Sequence, residues 1–103
     1  MAKLSINVNP TFPATVTIPV AGGDPVDIGF VFKHRTKTQV GEFTTSRKEK
    51  TDVESVLEMV EGWDFAEPFT PEAVEIMLEN YYGAAEAIYR TYLRELVQAK
   101  TKN

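Results

Sequence analysis

The amino-acid sequence predicts a small α+β protein, in which an N-terminal antiparallel β-hairpin or three-stranded meander is followed by three to four α-helices. Apolar residues alternate with polar residues up to residue 33, and from residue 34 onward they recur at helical spacing. The length of 103 residues is enough for one modest core. We therefore expect a single domain over 1–103, with a β region at 1–33 and a helical region at 34–103.

Three N-terminal segments have the period of two that is typical of half-buried strands. Their apolar positions are Leu4, Ile6 and Val8 in KLSINV, then Val16, Ile18 and Val20 in ATVTIPV, then Val26, Ile28, Phe30 and Phe32 in VDIGFVF. The connection AGGDP holds two glycines that can adopt positive φ, so the second and third segments are predicted to form a hairpin. Pro19 cannot donate to a ladder and predicts an edge or an irregularity in the second strand.

The first predicted helix begins after Thr36, which has Gln39 three residues later in the arrangement of a capping box. Val40 and Phe43 then lie on one helical face. The polar run TTSRKEK, at 44–50, is predicted to be a loop.

The second predicted helix also begins with a capping box, formed by Thr51 and Glu54. Its apolar stripe is Val53, Val56, Leu57 and Val60. Gly62 stands where a left-handed C-terminal cap is favoured, so this helix is expected to continue as far as that glycine.

The third predicted helix begins after Thr70, which can cap it, and Pro71 suits its first position. A break is expected at Gly83. The final helix then presents a broad stripe consisting of Ala85, Ile88, Tyr89, Tyr92, Leu93 and Leu96.

No motif in the chain indicates catalysis, a metal site or a cofactor. The single histidine, His34, lies between cationic neighbours without a carboxylate near it in sequence, and the chain contains no cysteine. The carboxylates are spread at helical spacing instead of following a calcium-loop pattern, and AGGDP lacks the glycine spacing and the lysine of a phosphate loop. We therefore expect a protein that is not an enzyme.

The stretch VEGWDFAEPFTPEAVEIML, at 60–78, concentrates aromatic residues between two predicted helices. Trp63, Phe65 and Phe69 are expected to fold over the end of one helix and hold the start of the next. Burial of each ring would contribute about 2–3 kcal/mol if the ring were fully enclosed. The alternative is that some of these rings stay partly exposed and anchor another subunit.

Charge is distributed unevenly along the chain, whose net charge is −4. Six Lys or Arg residues and two Glu lie in 33–50, whereas 51–89 contains ten carboxylates and no Lys or Arg. Such asymmetry can steer the protein toward charged partners or other copies of itself, or it can reflect two solvated faces. An overall pI near 5.0 opposes nucleic-acid binding by the basic segment.

No apolar run approaches the roughly 20 residues that span a bilayer, and the N-terminus does not resemble a secretory signal.

The order of segments resembles the tail assembly chaperones of long-tailed bacteriophages and prophages. The resemblance is carried by the hairpin that leads into FKHRT, the sequence GWDF, Phe69 before a capped helix, and a terminal helix with Tyr92 and Leu96. It implies a protein of the host bacterial cytoplasm that is absent from the mature virion. Its implied role is to coat the long, largely helical tape measure protein and help recruit the major tail protein.

Several hypotheses follow from this resemblance. We expect a homo-oligomer whose partner-binding residues are Trp63, Phe65, Phe69, Val56, Val60, Ile88, Tyr92 and Leu96. Arg35 and Lys37 are expected to support self-association by docking on acidic neighbours. The alternatives are a small structural component of the phage tail or head-tail connection that stays in the virion, and a nucleic-acid-binding adaptor that uses the basic segment at 33–50.

Overall fold

The sheet and the helices share one apolar core in the computed structural model, which describes residues 3–97. The elements are β1 (Thr11–Ile18), β2 (Val26–Lys33), α1 (Lys37–Ser46), a 3-10 helix (Arg47–Glu49), α2 (Asp52–Met59), β3 (Val60–Trp63), α3 (Pro71–Asn80) and α4 (Ala84–Val97). The strands form one antiparallel sheet in the order β1-β2-β3. The predicted α+β class is confirmed.

The predicted hairpin is formed by β1 and β2, which pair from Thr11 opposite Lys33 to Ile18 opposite Val26. Gly22 supplies the positive φ of the turn, at 75°, where a residue with a Cβ atom would be strained. Apolar positions on one face of both strands enter the core, except Val26, which is 48% exposed. Those that are buried there are Val16, Ile18, Phe30 and Phe32.

The three helix starts predicted from the sequence are confirmed. Thr36 and Gln39 form a complete capping box, as do Thr51 and Glu54. Thr70 caps α3 by accepting a hydrogen bond from the Ala73 backbone N–H. In each case a side-chain oxygen satisfies a backbone donor that the first turn of the helix leaves unpaired.

The loop predicted at 44–50 is wrong, because α1 continues to Ser46 and a 3-10 helix follows it. The hydroxyls of Thr44 and Thr45 donate to the Gly41 carbonyl oxygen at 3.0 and 2.9 Å. These hydroxyls therefore bond to the preceding turn of the helix and do not draw the backbone away from it.

The strand predicted in KLSINV is also wrong, since 3–10 contains no strand. Leu4 and Ile6 are 96% and 98% exposed. The alternation makes this segment suitable for a sheet, but a strand exists only where a neighbouring strand accepts its backbone hydrogen bonds. No strand of the described residues pairs with it.

The end of the second predicted helix differs most from expectation. The α2 helix ends at Met59, and the chain enters β3 at Val60 with extended angles, φ −112° and ψ 141°. Gly62 therefore forms no left-handed cap; Gly22 is the glycine with positive φ among the described residues. In β3, Val60 lies opposite Phe32 and Trp63 lies opposite Phe30. These cross-strand contacts override the local preference of 60–62 for helix.

The predicted break at Gly83 is confirmed by the turn that separates α3 from α4. The Ala84 backbone N–H donates to the Tyr81 carbonyl oxygen at 3.0 Å. A Cβ atom at position 83 would lie 3.0 Å from Cγ of Pro19. Glycine therefore allows the turn to approach the end of the hairpin closely.

Two cations, one at the end of β2 and one two residues after it, bind the last carbonyls of α2. Lys33 Nζ donates to the Leu57 carbonyl oxygen at 3.2 Å, and Arg35 Nη1 donates to the Glu58 carbonyl oxygen at 2.8 Å. The last carbonyls of a helix lack intrahelical partners and carry the negative end of its dipole. These cations therefore stabilise the point at which the chain leaves α2 for β3.

The Arg35 guanidinium also contacts α4 and α1. Arg35 Nη1 donates to the Tyr92 hydroxyl at 2.9 Å, and that hydroxyl donates to the Lys33 carbonyl oxygen at 2.6 Å. The guanidinium carbon lies 4.5 Å from the centre of the Phe43 ring, close enough for a cation–π contact. We call this set of contacts, centred on Arg35 and Tyr92, the arginine brace.

Replacement Tyr92→Phe should lower the free energy of unfolding by about 1–3 kcal/mol, because the Lys33 carbonyl and an Arg35 N–H lose their partner. Urea denaturation measures the change. The control is Tyr82→Phe, since Tyr82 is 99% exposed and the loss of its hydroxyl should leave stability unchanged. Equal stability of the two variants would show that the Tyr92 hydroxyl contributes nothing to the brace.

Alkaline pH should also weaken the fold through Tyr92. Burial raises the pKa of Tyr92 above its ordinary value of 10.0, and the neighbouring Arg35 opposes part of that increase. As pH rises past 10.0, the unfolded chain loses the phenolic proton before the folded chain does. The free energy of unfolding therefore falls in this range. Urea titrations between about pH 8 and 11 should show a smaller fall for Tyr92→Phe, and identical slopes would contradict the assignment.

Candidate partner-binding site

The described residues offer little that could support chemistry. No group of three or more His, Cys, Asp and Glu residues in 3–97 could hold a metal ion. None of the helices within that range is long and apolar enough to cross a membrane. The pKa of Glu54 is lowered by the hydrogen bonds that it receives from Thr51, so this shift reflects helix capping.

Three rings define what we call the aromatic corner: Trp63 at the end of β3, and Phe65 and Phe69 in the connection to α3. The Trp63 ring centre lies 4.8 Å from that of Phe65 and 5.1 Å from that of Phe69, both edge to face. Trp63 Nε1 donates to the Glu67 carbonyl oxygen at 2.8 Å. These contacts hold the connection against the sheet.

The aromatic corner joins the sheet to α3 and remains open on its outer side. The Phe30 ring of β2 meets Trp63 and Phe65 edge to face, with ring centres 6.3 and 6.1 Å apart. All three corner rings are half-buried and pack against the core. The corner is thus the joint that the sequence predicted, although it connects a strand to a helix. Its exposed portions could still contact another protein.

A cleft of about 360 Å³ lies between the aromatic corner and α3. Its lining residues are Trp63, Phe65, Glu67, Ala73, Ile76, Met77, Asn80 and Tyr81. We call it the α3 cleft. Apolar side chains form most of its wall, with the polar residues Glu67 and Asn80 among them. Ile76 is 61% exposed, which leaves a large apolar side chain available to a partner.

The α3 cleft lies beside a row of negative charges. Glu72, Glu75 and Glu79 are exposed on α3, and Glu67 is exposed in the cleft wall. The segment 51–89 contains no Lys or Arg that could neutralise them. A partner with an apolar surface bordered by cations would therefore be favoured over an acidic one.

Four of the predicted partner-binding residues lie inside the subunit. Val56, Val60, Ile88 and Tyr92 are 0–1% exposed and belong to the core. The folded subunit cannot present them to a partner, because the stripes of α2 and α4 pack against the sheet and each other. Leu96 is half-buried beside the core. Of the eight residues, the aromatic corner and Leu96 are therefore the ones that retain exposed surface.

Ile76 is the site residue that the sequence reasoning missed. On α3, the residues that face the core are Val74, Met77 and Leu78. Ile76 is out of phase with this stripe, at two residues from Val74 and two from Leu78, so helical periodicity alone places it on the exposed face. The signal that could have identified Ile76 from the sequence is an apolar residue on the acidic face of α3.

The two residues predicted to support self-association occupy different environments. Arg35 is committed to the arginine brace within its own subunit, and its side chain is only 20% exposed. Lys37 is exposed in the first turn of α1. A role for Lys37 in self-association stays a prediction, whereas Arg35 could contribute only by leaving the brace.

Other cations of the basic segment are also engaged within the subunit. The Arg47 guanidinium carbon lies 4.0 Å from the centre of the Tyr89 ring, and Arg47 Nη2 lies 3.8 Å from Asp52 Oδ1. Lys50 forms a salt bridge with Glu58. Together with the cations that bind α2, these contacts commit most of the positive charge of 33–50 to the fold.

Comparison with known proteins identifies one family. A family model described as phage tail assembly chaperone matches residues 1–103, the whole chain. No curated protein and no solved structure matches the chain at a significant level. The family match covers the arginine brace, the aromatic corner and the α3 cleft.

Replacement Arg35→Lys should lower the free energy of unfolding by about 1–3 kcal/mol, because lysine keeps the charge but lacks the planar fork that reaches both acceptors. The control Lys37→Gln alters an exposed cation and should change stability by less than about 0.5 kcal/mol. Thermal and urea unfolding measure both. A larger loss for Lys37→Gln than for Arg35→Lys would overturn the distinction between these residues.

Proposed function

The chain belongs to the phage tail assembly chaperone family, and from this membership we propose that it binds the tape measure protein and helps recruit the major tail protein during tail assembly. Membership of a chaperone family favours a non-enzymatic role. Binding without catalysis requires an accessible apolar surface and a means of releasing the partner, and it requires no reactive group.

The observation that supports this proposal is the α3 cleft with its exposed Ile76. A long helical protein in an unfinished tail exposes apolar helical stripes that would otherwise aggregate. A groove between a helix and an aromatic cluster accepts such a stripe in the helix-in-groove mode. The half-buried rings of Trp63 and Phe65 form one wall of the groove. The proposed occupant is the apolar face of a tape measure helix.

The acidic surface of α3 narrows the class of helix that the cleft would accept. Exposed Glu72, Glu75 and Glu79 favour a helix whose apolar stripe is bordered by Lys or Arg. Each cleft is small, so one copy would bind weakly and release readily. Several self-associated copies along one tape measure protein would bind together with much higher avidity.

The proposed setting is the cytoplasm of the host bacterium, and the mature virion should lack the protein. A structural component of the tail or head-tail connection is the alternative, and mass spectrometry of purified particles separates the two. A nucleic-acid-binding adaptor is less favoured, because Lys33, Arg35, Arg47 and Lys50 bind partners within the subunit. A salt-dependent shift of labelled DNA would instead support the adaptor.

Co-expression with the tape measure protein tests the proposal. The wild-type chain should keep the tape measure protein in the soluble fraction, and Ile76→Glu should reduce that fraction several-fold by placing a charge at the α3 cleft. The control is Val97→Glu, because Val97 is 63% exposed near the end of another helix, against 61% for Ile76. Its soluble yield should equal that of the wild type.

Trp63, the single tryptophan of the chain, gives a second readout. Its ring lines the α3 cleft, so a synthetic apolar helix with flanking lysines should shift its fluorescence on binding. Ile76→Glu should weaken that titration, whereas Val97→Glu should not. A tape measure protein that aggregates with the wild-type chain, or that stays equally soluble with Ile76→Glu, would contradict the proposal.

A further inference from the structure

The N-terminal segment exposes three large apolar side chains that the fold does not use. Leu4, Ile6 and Val8 are 96%, 98% and 60% exposed. They alternate with Ser5 and Asn7, a pattern typical of one half-buried strand. The segment thus has the side chains of a strand but no ladder partner within 3–97.

The β1 strand has an edge to which such a segment could add. In the sheet order β1-β2-β3, β2 pairs with one side of β1 only. The His34 backbone N–H donates to the Pro10 carbonyl oxygen at 2.8 Å, which shows that the polar groups of Pro10 face β2. Because this direction alternates along a strand, the backbone groups of Thr11, Pro13, Thr15 and Thr17 point to the other edge. That edge is a template for a further strand.

The segment cannot reach this edge in its own subunit. Pro10 already lies beside β2, so the chain would have to reverse direction before it. Asn9 precedes a proline and is therefore restricted to extended conformations. Val8 is β-branched and disfavours the positive φ that tight hairpin turns require. The local sequence thus directs Leu4–Val8 away from its own β1.

A second copy of the chain removes this obstacle, and we propose that Leu4–Val8 of one subunit adds as an antiparallel strand to the free edge of β1 in another. This inference gives a structural basis for the self-association in the proposed function, and it does not depend on tape measure binding. Reciprocal addition would place the two Pro10 residues together at a two-fold axis and satisfy both edges in one dimer.

In the proposed antiparallel register the side chains of the two strands match. With Ile6 opposite Ala14, Val8 lies opposite Phe12 and Leu4 lies opposite Val16, so all apolar residues share the inner face of the sheet. Ser5 and Asn7 then join Thr15 and Pro13 on the outer face. A slip of one residue would reverse both faces and is therefore disfavoured. Among the registers that keep both faces, the proposed dimer uses the one with Pro10 at the two-fold axis.

The free edge of β1 contains one position that cannot donate a backbone hydrogen bond. Pro13 has no N–H to donate, so the added ladder would lack one hydrogen bond. An interface of this kind suits subunits that must assemble and separate again.

Sedimentation velocity over a concentration series tests the inference. The wild-type chain should form a dimer or a larger assembly at micromolar concentration. Ile6→Asp should weaken self-association at least tenfold without unfolding the subunit, because Ile6 lies outside the core. The control Tyr82→Asp alters a side chain that is equally exposed, at 99% against 98%, and should sediment as the wild type does. Circular dichroism verifies that both variants are folded.

A cross-linking experiment tests the register independently. The chain contains no cysteine, so the double variant Ile6→Cys, Ala14→Cys introduces the only two thiols. In the proposed register these positions form a non-hydrogen-bonded pair, whose Cα separation is compatible with a disulfide. Mild oxidation should give a covalent dimer on a non-reducing gel. The double variant Ile6→Cys, Thr17→Cys places the thiols on opposite faces of the sheet and should give little covalent dimer.

Three outcomes would overturn the inference: a monomeric wild-type chain, an Ile6→Asp variant that self-associates like the wild type, or equal cross-linking of the two double variants. If the wild type is monomeric and Ile6→Asp no longer keeps the tape measure protein soluble, the segment binds the tape measure protein instead of another subunit. That result would also overturn the inference. Failure of the proposed function is recognised separately, as a tape measure protein that aggregates with the wild-type chain or that stays equally soluble with Ile76→Glu.

Discussion

The arrangement of this subunit depends on one guanidinium held against the end of a helix. Arg35 binds the Glu58 carbonyl oxygen of α2, the Tyr92 hydroxyl of α4 and the face of the Phe43 ring. The last carbonyls of α2 thereby gain partners, and the chain turns at Val60 directly into a strand that pairs with β2. That pairing sets Trp63 opposite Phe30, so the position of the aromatic corner follows from the same contacts. A variant that loses the arginine brace would therefore disturb the α3 cleft, although no residue of the brace lines the cleft.

The cations and apolar stripes that are engaged inside the subunit limit the surface that remains for binding a partner. The stripes of α2 and α4 cover the sheet, and most cations of the basic segment bind carbonyls, rings or carboxylates of the same chain. Two apolar surfaces with exposed side chains are then prominent in 3–97: the α3 cleft with Ile76, and the N-terminal segment with Leu4 and Ile6. They occupy different elements, so partner binding and self-association need not compete.

Two weak surfaces of this kind suit a chaperone of assembly better than one strong surface. A small cleft alone cannot hold a long helix, but copies linked through their sheets would present several clefts to one partner. In the proposed function each contact would be individually reversible, so the copies that cover the tape measure protein would be displaced when the major tail protein polymerises. The acidic face of α3 would favour partners with basic borders and would keep the free subunits soluble.

The sequence by itself determined the local features of this fold. The caps at Thr36, Thr51 and Thr70, the turn at Gly22 and the break at Gly83 were all predictable, because each depends on residues only a few positions apart. Helical phase likewise marks Ile76 as exposed. The tertiary structure decided the end of α2, the strand at Val60–Trp63, the role of Arg35 and the absence of a strand at Leu4–Val8. These features depend on partners remote along the chain: β2 for the strand, α2 and α4 for the guanidinium, and an edge that the subunit's own N-terminal segment cannot reach. Local propensity carries no information about such contacts, and they contribute enough free energy to override it.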